Sequence, residues 1–287
     1  MTPLVLLLIL VGALAHATWN LVVKRSAVSG PTFVWLTAVG AAVVLAPVGI
    51  VVAVLEPPSW PDVALTAAVS AVLHVGYFLA LQAGYRAGDV GVVYPLARGT
   101  GPLLSVVLAI VLLGDRPGPL GLLGAAAVVA GVLVIGLGGS RATRRAARAG
   151  AIWGLAIGVV IAAYTLWDAH AVTAFAISPI LLNAGTSTLE TVLLAPVAIR
   201  RRATVRAVLR TRWREVLVVA VLSPLSYILI LFAMRIAPVS IVAPAREISV
   251  VFVALAGWLL FREPHPVARL GGAVVVVAGV ALLAASR

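Results

Sequence analysis

The chain has 287 residues, of which 63% are hydrophobic and 10% charged, with a net charge of +12 and no cysteine. A soluble domain of this length needs a polar surface that such a composition cannot supply. A disulfide framework and a thiolate metal site are excluded as well.

Apolar blocks of about 20 residues, the length that crosses ~30 Å of hydrocarbon as a helix, follow one another along the chain. They predict ten membrane spans, near 3–22, 32–55, 63–84, 90–113, 119–138, 150–170, 177–199, 215–235, 238–261 and 266–285. No basic region precedes the first block and no small-residue cleavage site follows it, so it reads as a retained span and not a signal peptide. The breaks "EPPSWPD", "GDRPGP", "GGSRATRRAARAG" and "FREPHP" carry the residues that stop helices. Most of the basic excess lies in loops, where it sets membrane orientation, so no nucleic-acid partner is expected. With both termini outside, Lys24, Arg25, Arg141, Arg144, Arg262 and the arginines of 200–214 fall on the cytoplasmic side, leaving Arg116, Arg235 and Arg287 outside.

The chain also matches itself at a shift of 148. Trp19 falls on Trp167, Pro31 on Pro179, Arg98 on Arg246, Asp115 on Glu263, and "GAAAVVAGV" from Gly124 on "GAVVVVAGV" from Gly272. A shared offset over most of the chain marks an internal repeat. Each half holds five spans, an odd number, so the second half enters the membrane in the opposite sense. The expected architecture is an all-α protein of two five-helix inverted-topology repeats, 1–138 and 150–287, joined by a basic linker at 139–149. Such repeats are common in secondary transporters, with the substrate site near the midplane between the halves.

Ionisable groups inside spans normally face a cavity or a partner. Arg98 and Arg246 lie about eight residues into equivalent spans, ~12 Å deep at about 1.5 Å per residue. A guanidinium offers a planar fork of donors suited to carboxylate or phosphate oxygens. The pair therefore reads either as an anion site or as two structural ion pairs, with Glu247 for Arg246 and Asp168 for Arg98. Glu247, adjacent in sequence to Arg246, points about 100° away on a regular helix. His16, Trp19 and Asn20 share one helix face by their i, i+3, i+4 spacing, and Tyr164, Trp167 and Asp168 repeat that face in the second half. Both faces are expected to line the cavity, the alternative for the tryptophans being interfacial anchoring. Tyr77, Tyr94 and Ser249 complete the expected binding set. His74 and Glu190 fit either a cavity or a helix contact. His16, Asp168 and Glu247 are the candidates for proton coupling. Pro95, Pro224 and Pro244 are candidate hinges, since each removes a backbone donor. The Gly-rich fifth and tenth spans read as scaffold, whose small-residue faces could also hold a dimer, so monomer and homodimer both stand.

The closing segments "LLGDRPGPLGLLGAAAVVAGVLVIG" and "LLFREPHPVARLGGAVVVVAGVALL", with "HATWN", "YPLARG", "AYTLWD" and "REISVVF", resemble the EamA-type drug/metabolite transporter superfamily. Among its members the likeness points to a bacterial ten-helix branch, some of it labelled phosphonate-associated. The resemblance implies a multi-pass carrier of the bacterial cytoplasmic membrane, moving a small polar metabolite, with both termini cytoplasmic where the loop charge puts them outside. An amino acid or related zwitterion in the export direction leads, its carboxylate on the arginines and its ammonium near Asp168, Glu247 or an aromatic face. A phosphonate or other phosphorylated anion, or a broad drug specificity, is the alternative. No ATP-binding loop and no nucleophile-base arrangement is present, so neither an ATP-driven pump nor an enzyme is expected. A channel fits single charges on broken helices less well than a carrier does. No cofactor and no metal is expected, with the proton as the candidate coupling ion.

Overall fold

The computed structural model describes residues 1–26, 30–137, 143–261 and 266–286; Arg141, Arg262, Glu263 and Arg287 lie outside them. The described chain is helical throughout: α1 (Pro3–Ser26), α2 (Pro31–Leu55), α3 (Trp60–Ala87), α4 (Val90–Leu108), α5 (Pro119–Leu137), α6 (Arg144–Thr173), α7 (Pro179–Arg200), α8 (Arg202–Met234), α9 (Val239–Ala245), α10 (Ile248–Phe261) and α11 (Pro266–Ala285). Among the described residues nine helical stretches are long and apolar enough to cross a membrane, and Leu270–Ala285 forms a shorter apolar helix. The exterior is apolar, as a bilayer requires: Val43, Val54, Val111, Val192 and Val274 are each more than half exposed.

Local chemistry sets the helix starts. Proline stands in the first turn of α2, α3 and α7, where a missing N–H leaves nothing unpaired. Thr143 caps α6 by accepting a hydrogen bond from the Ala146 N–H at 3.4 Å. That cap begins α6 at Arg144, within the stretch read as linker. Asp115, the acidic residue after the fourth span, accepts a hydrogen bond from the Ser240 N–H at the start of α9, 2.8 Å away. It thereby ties the loop between the fourth and fifth spans of the first repeat to the second repeat.

The shift of 148 appears in space as a pseudo-two-fold. Contact of α1 with α8 is repeated by α6 with α3, that of α2 with α8 by α7 with α3, and that of α4 with α6 by α10 with α1; α2 meets its own counterpart α7, and α5 meets α11. The ninth predicted span is broken into α9 and α10 at Arg246–Glu247. Pro244 cannot donate to the Ser240 carbonyl, and the turn beyond it tightens to i→i+3 bonds, Glu247 N–H to Pro244 and Val250 N–H to Glu247. In α8 the departure from helical backbone angles is at Arg212 (φ −135°, ψ 22°) and not at the expected hinge Pro224.

The glycine faces of α5 and α11 are spent on each other. A Cβ on Gly124 would stand 2.8 Å from the Gly279 carbonyl oxygen, and one on Gly131 would stand 2.7 Å from that of Gly272. These two approaches exchange under the shift of 148. Neither helix contributes a residue to the cavity described next, which agrees with their reading as scaffold.

Candidate functional site

A cavity of about 500 Å³ lies between the halves, within the size range of small-molecule sites. Its wall comes from α1, α2, α3, α4, α6, α7, α8 and the α9–α10 break. His16, Trp19, Asn20, Tyr77, Tyr94, Arg98, Tyr164, Asp168, Arg246 and Ser249 all line it. The sequence-predicted set is thus brought together, with two exceptions.

Trp167 is the first. Its indole N–H donates to the Thr66 carbonyl at 3.0 Å, which clamps α6 to α3, and it is absent from the cavity wall. The cavity takes the Tyr164–Asp168 edge of that helix stripe and leaves Trp167 beyond it. Its counterpart Trp19 does face the cavity, with its indole edge against His16 at 4.9 Å and its N–H unpartnered among the described residues.

Glu247 is the second exception. It is 1% exposed, behind the wall, with one oxygen 2.9 Å from Arg98 Nη2 and the other 3.6 Å from Arg246 Nε. A single carboxylate therefore holds both symmetry-related arginines, which corrects the two-pair reading. The broken backbone at 246–247 frees the adjacent side chains from regular helical divergence, and both reach the same point. Being held between cations, Glu247 does not present itself to an ammonium. Arg98 also donates to Ser249 Oγ and Arg246 to Thr165 Oγ1, each at 3.2 Å. With one negative and two positive groups the triad carries a formal charge of +1, and both arginines reach the cavity.

Asp168 does not pair with Arg98. It is fully buried and accepts a hydrogen bond from the Tyr227 hydroxyl at 2.6 Å. His74 Nε2 stands 4.0 Å from the same carboxylate oxygen. The His74 Nδ1 lies 2.9 Å from the Ser70 carbonyl and 3.3 Å from Ser70 Oγ; the shorter contact is to an atom that only accepts, which favours the proton on Nδ1 with Nε2 turned to Asp168. The rings of Tyr164 and Tyr227 flank His74 at 4.4 and 5.6 Å, and Tyr77 meets Tyr164 at 5.8 Å. Replacing Tyr227 with Phe leaves a buried acceptor short of its donor. The Tyr227→Phe variant is expected to lose about 1–3 kcal/mol of stability, read as a lowered melting temperature in detergent.

Sequence reasoning missed the polar wall of α7. Asn183, Thr186 and Ser187 line the cavity, as does Ser70 on α3; Glu190 and His74, which in sequence fit either a cavity or a helix contact, line it too. The signal was present in "NAGTSTLE", whose polar residues recur at i, i+3, i+4 and i+7 in an otherwise apolar span.

Two five-helix repeats closing on a polar, charged cavity inside an apolar exterior fit the architecture of a membrane transporter. The model of the EamA-like transporter family matches the sequence twice, over residues 3–137 and 148–285. The chain belongs to the EamA-like transporter family, and with it to the drug/metabolite transporter superfamily. One solved crystal structure superposes with a TM-score of 0.74, covering 98% of each chain at 16% sequence identity, a likeness of fold alone. None of the curated proteins matches the sequence.

Proposed function

We propose that this transporter carries a small zwitterion with a carboxylate, an amino acid or close relative, by alternating access around the Arg98/Arg246 cavity. The observation that carries the reading is the +1 triad: Glu247 holds both guanidiniums in place yet neutralises only one of them. The remaining charge and the guanidinium donors favour a carboxylate. Asp168, among the tyrosine rings, supplies the opposite pole for an ammonium. Rocking of the repeats about this site would expose it to each side in turn. We further propose transport in the export direction implied by the family, and both termini outside, as the arginine distribution favours. Of the coupling candidates, Asp168 facing His74 is the one with a proton acceptor opposite it; His16 packs on Trp19 and Glu247 is held by two arginines.

Ligand-dependent melting of the purified protein tests the site. A ligand at 100 times its Kd stabilises the native state by about 2.7 kcal/mol. Amino acids are expected to raise the melting temperature of wild type and to lose that effect in Arg98→Ala and Arg246→Ala. Stabilisation by phosphonates alone would make the substrate a phosphorylated anion. Stabilisation only by cationic drugs, undiminished in both variants, would make the arginines structural.

A further inference from the structure

One carboxylate and one ammonium do not use all of this cavity. Asn183, Thr186, Ser187 and Glu190 line it, and their i, i+3, i+4, i+7 spacing puts them on one face of α7. Among the described residues Glu190 makes no hydrogen bond and no ion pair. Thr186, one turn earlier, is 6% exposed, and its hydroxyl has no partner either. The titratable groups nearest Glu190 are His74 and Asp168. Asp168 has the same sign, and His74 turns its Nδ1 to the Ser70 carbonyl. The Arg98–Glu247–Arg246 triad is satisfied by a substrate carboxylate and Asp168 by an α-ammonium, so among the described residues Glu190 is an acidic group on the cavity wall with no cation against it. Carboxylates in such places normally have a partner.

We infer that the substrate is a dibasic amino acid, its side-chain cation held by Glu190 with Thr186 and Asn183 on α7. The inference rests on the amino-acid reading above and adds a third contact point to it. An ammonium or guanidinium brings only donors, and the Glu190 carboxylate, the Thr186 hydroxyl and the Asn183 carbonyl oxygen all accept. Distance from the arginine end would then select for the length of the side chain.

L-lysine and L-norleucine test this directly, because they share a carbon skeleton and differ in the terminal ammonium. Melting-temperature titrations of the purified wild type are expected to give lysine an affinity at least about tenfold above norleucine, a difference of about 1.4 kcal/mol. Nε-acetyl-lysine, with that charge removed, should bind like norleucine. The Glu190→Gln variant should shrink the lysine preference to about twofold, since a neutral amide gives a cation little reason to stay. Equal binding of lysine, norleucine and acetyl-lysine to wild type would overturn the dibasic substrate and leave the amino-acid reading standing. Absence of binding by all three would overturn the dibasic substrate, and absence of binding by the wider amino-acid panel as well would overturn both. Should Glu190→Gln fail to fold, the acetyl-lysine comparison on wild type and the Thr186→Val variant, expected to lose part of the preference, decide the matter.

Discussion

Glu247→Gln is expected to cost about 3–5 kcal/mol of stability, the range for removing one partner from a buried ion pair. The reason lies in what stays behind. Arg98 and Arg246 have side chains only 13% and 10% exposed, and Glu247 is the carboxylate that stands against both. Each guanidinium is also held where it stands, the first by a hydrogen bond to Ser249 and the second by one to Thr165. Without the carboxylate two like charges face each other in a cavity enclosed by apolar helices, and each loses its strongest attraction. Melting in detergent, or unfolding in mixed micelles, reads the loss. A second measurement isolates the interaction. In the cycle of Glu247→Gln, Arg98→Gln and the double variant, the double is expected to be more stable than the sum of the singles implies, because the second change removes the cation that the first left unpaired. Additive losses would show that Glu247 and Arg98 do not act on each other.

The second large effect is expected at the α5–α11 seam. A valine at Gly131 puts its Cβ 2.7 Å from the Gly272 carbonyl oxygen and 2.7 Å from a Val276 methyl. Backbone cannot step aside as a flexible side chain would, so the two helices must separate along their length. Overpacking of this kind costs about 1–3 kcal/mol and occasionally more, and in lipid the close approach is itself what holds such helices together. Gly131→Val is expected to fall at the upper end of that range. Gly124→Val, its neighbour on the same helix against the Gly279 carbonyl, should behave alike. The pair together should leave little folded protein, measured as the monodisperse fraction after solubilisation. Gly271 serves as the control, since a Cβ there meets nothing within 4 Å, and Gly271→Ala should melt like wild type.

Much of this molecule was written in one dimension. Block length set the spans, because a helix must be about 20 residues long to cross the hydrocarbon and every backbone group must be bonded inside it. The offset of 148 set the two-fold relation, which returns in the helix pairings and in the paired glycine contacts. Arg98 and Arg246 stood out because charge in a span is costly and therefore has a purpose. The spacing of His16, Trp19 and Asn20 put one wall of the cavity in the right place.

The tertiary structure alone decided which way each polar residue turns and whom it meets. In a soluble protein the polar face of a helix marks the side toward water. Here lipid and protein interior are equally apolar, so the rotation of a span leaves little trace in its hydropathy. For that reason Trp167 read as a cavity residue yet clamps Thr66, while Asn183, Thr186 and Ser187 went unread beside Glu190, which in sequence fits either a cavity or a helix contact. Glu247 joined two arginines through a helix break whose position follows from Pro244 but whose consequence needs both halves in place. The glycine faces, open on paper to a second copy, found each other within one chain. Length, repeat and buried charge are properties of the string; partners are a property of helices already packed.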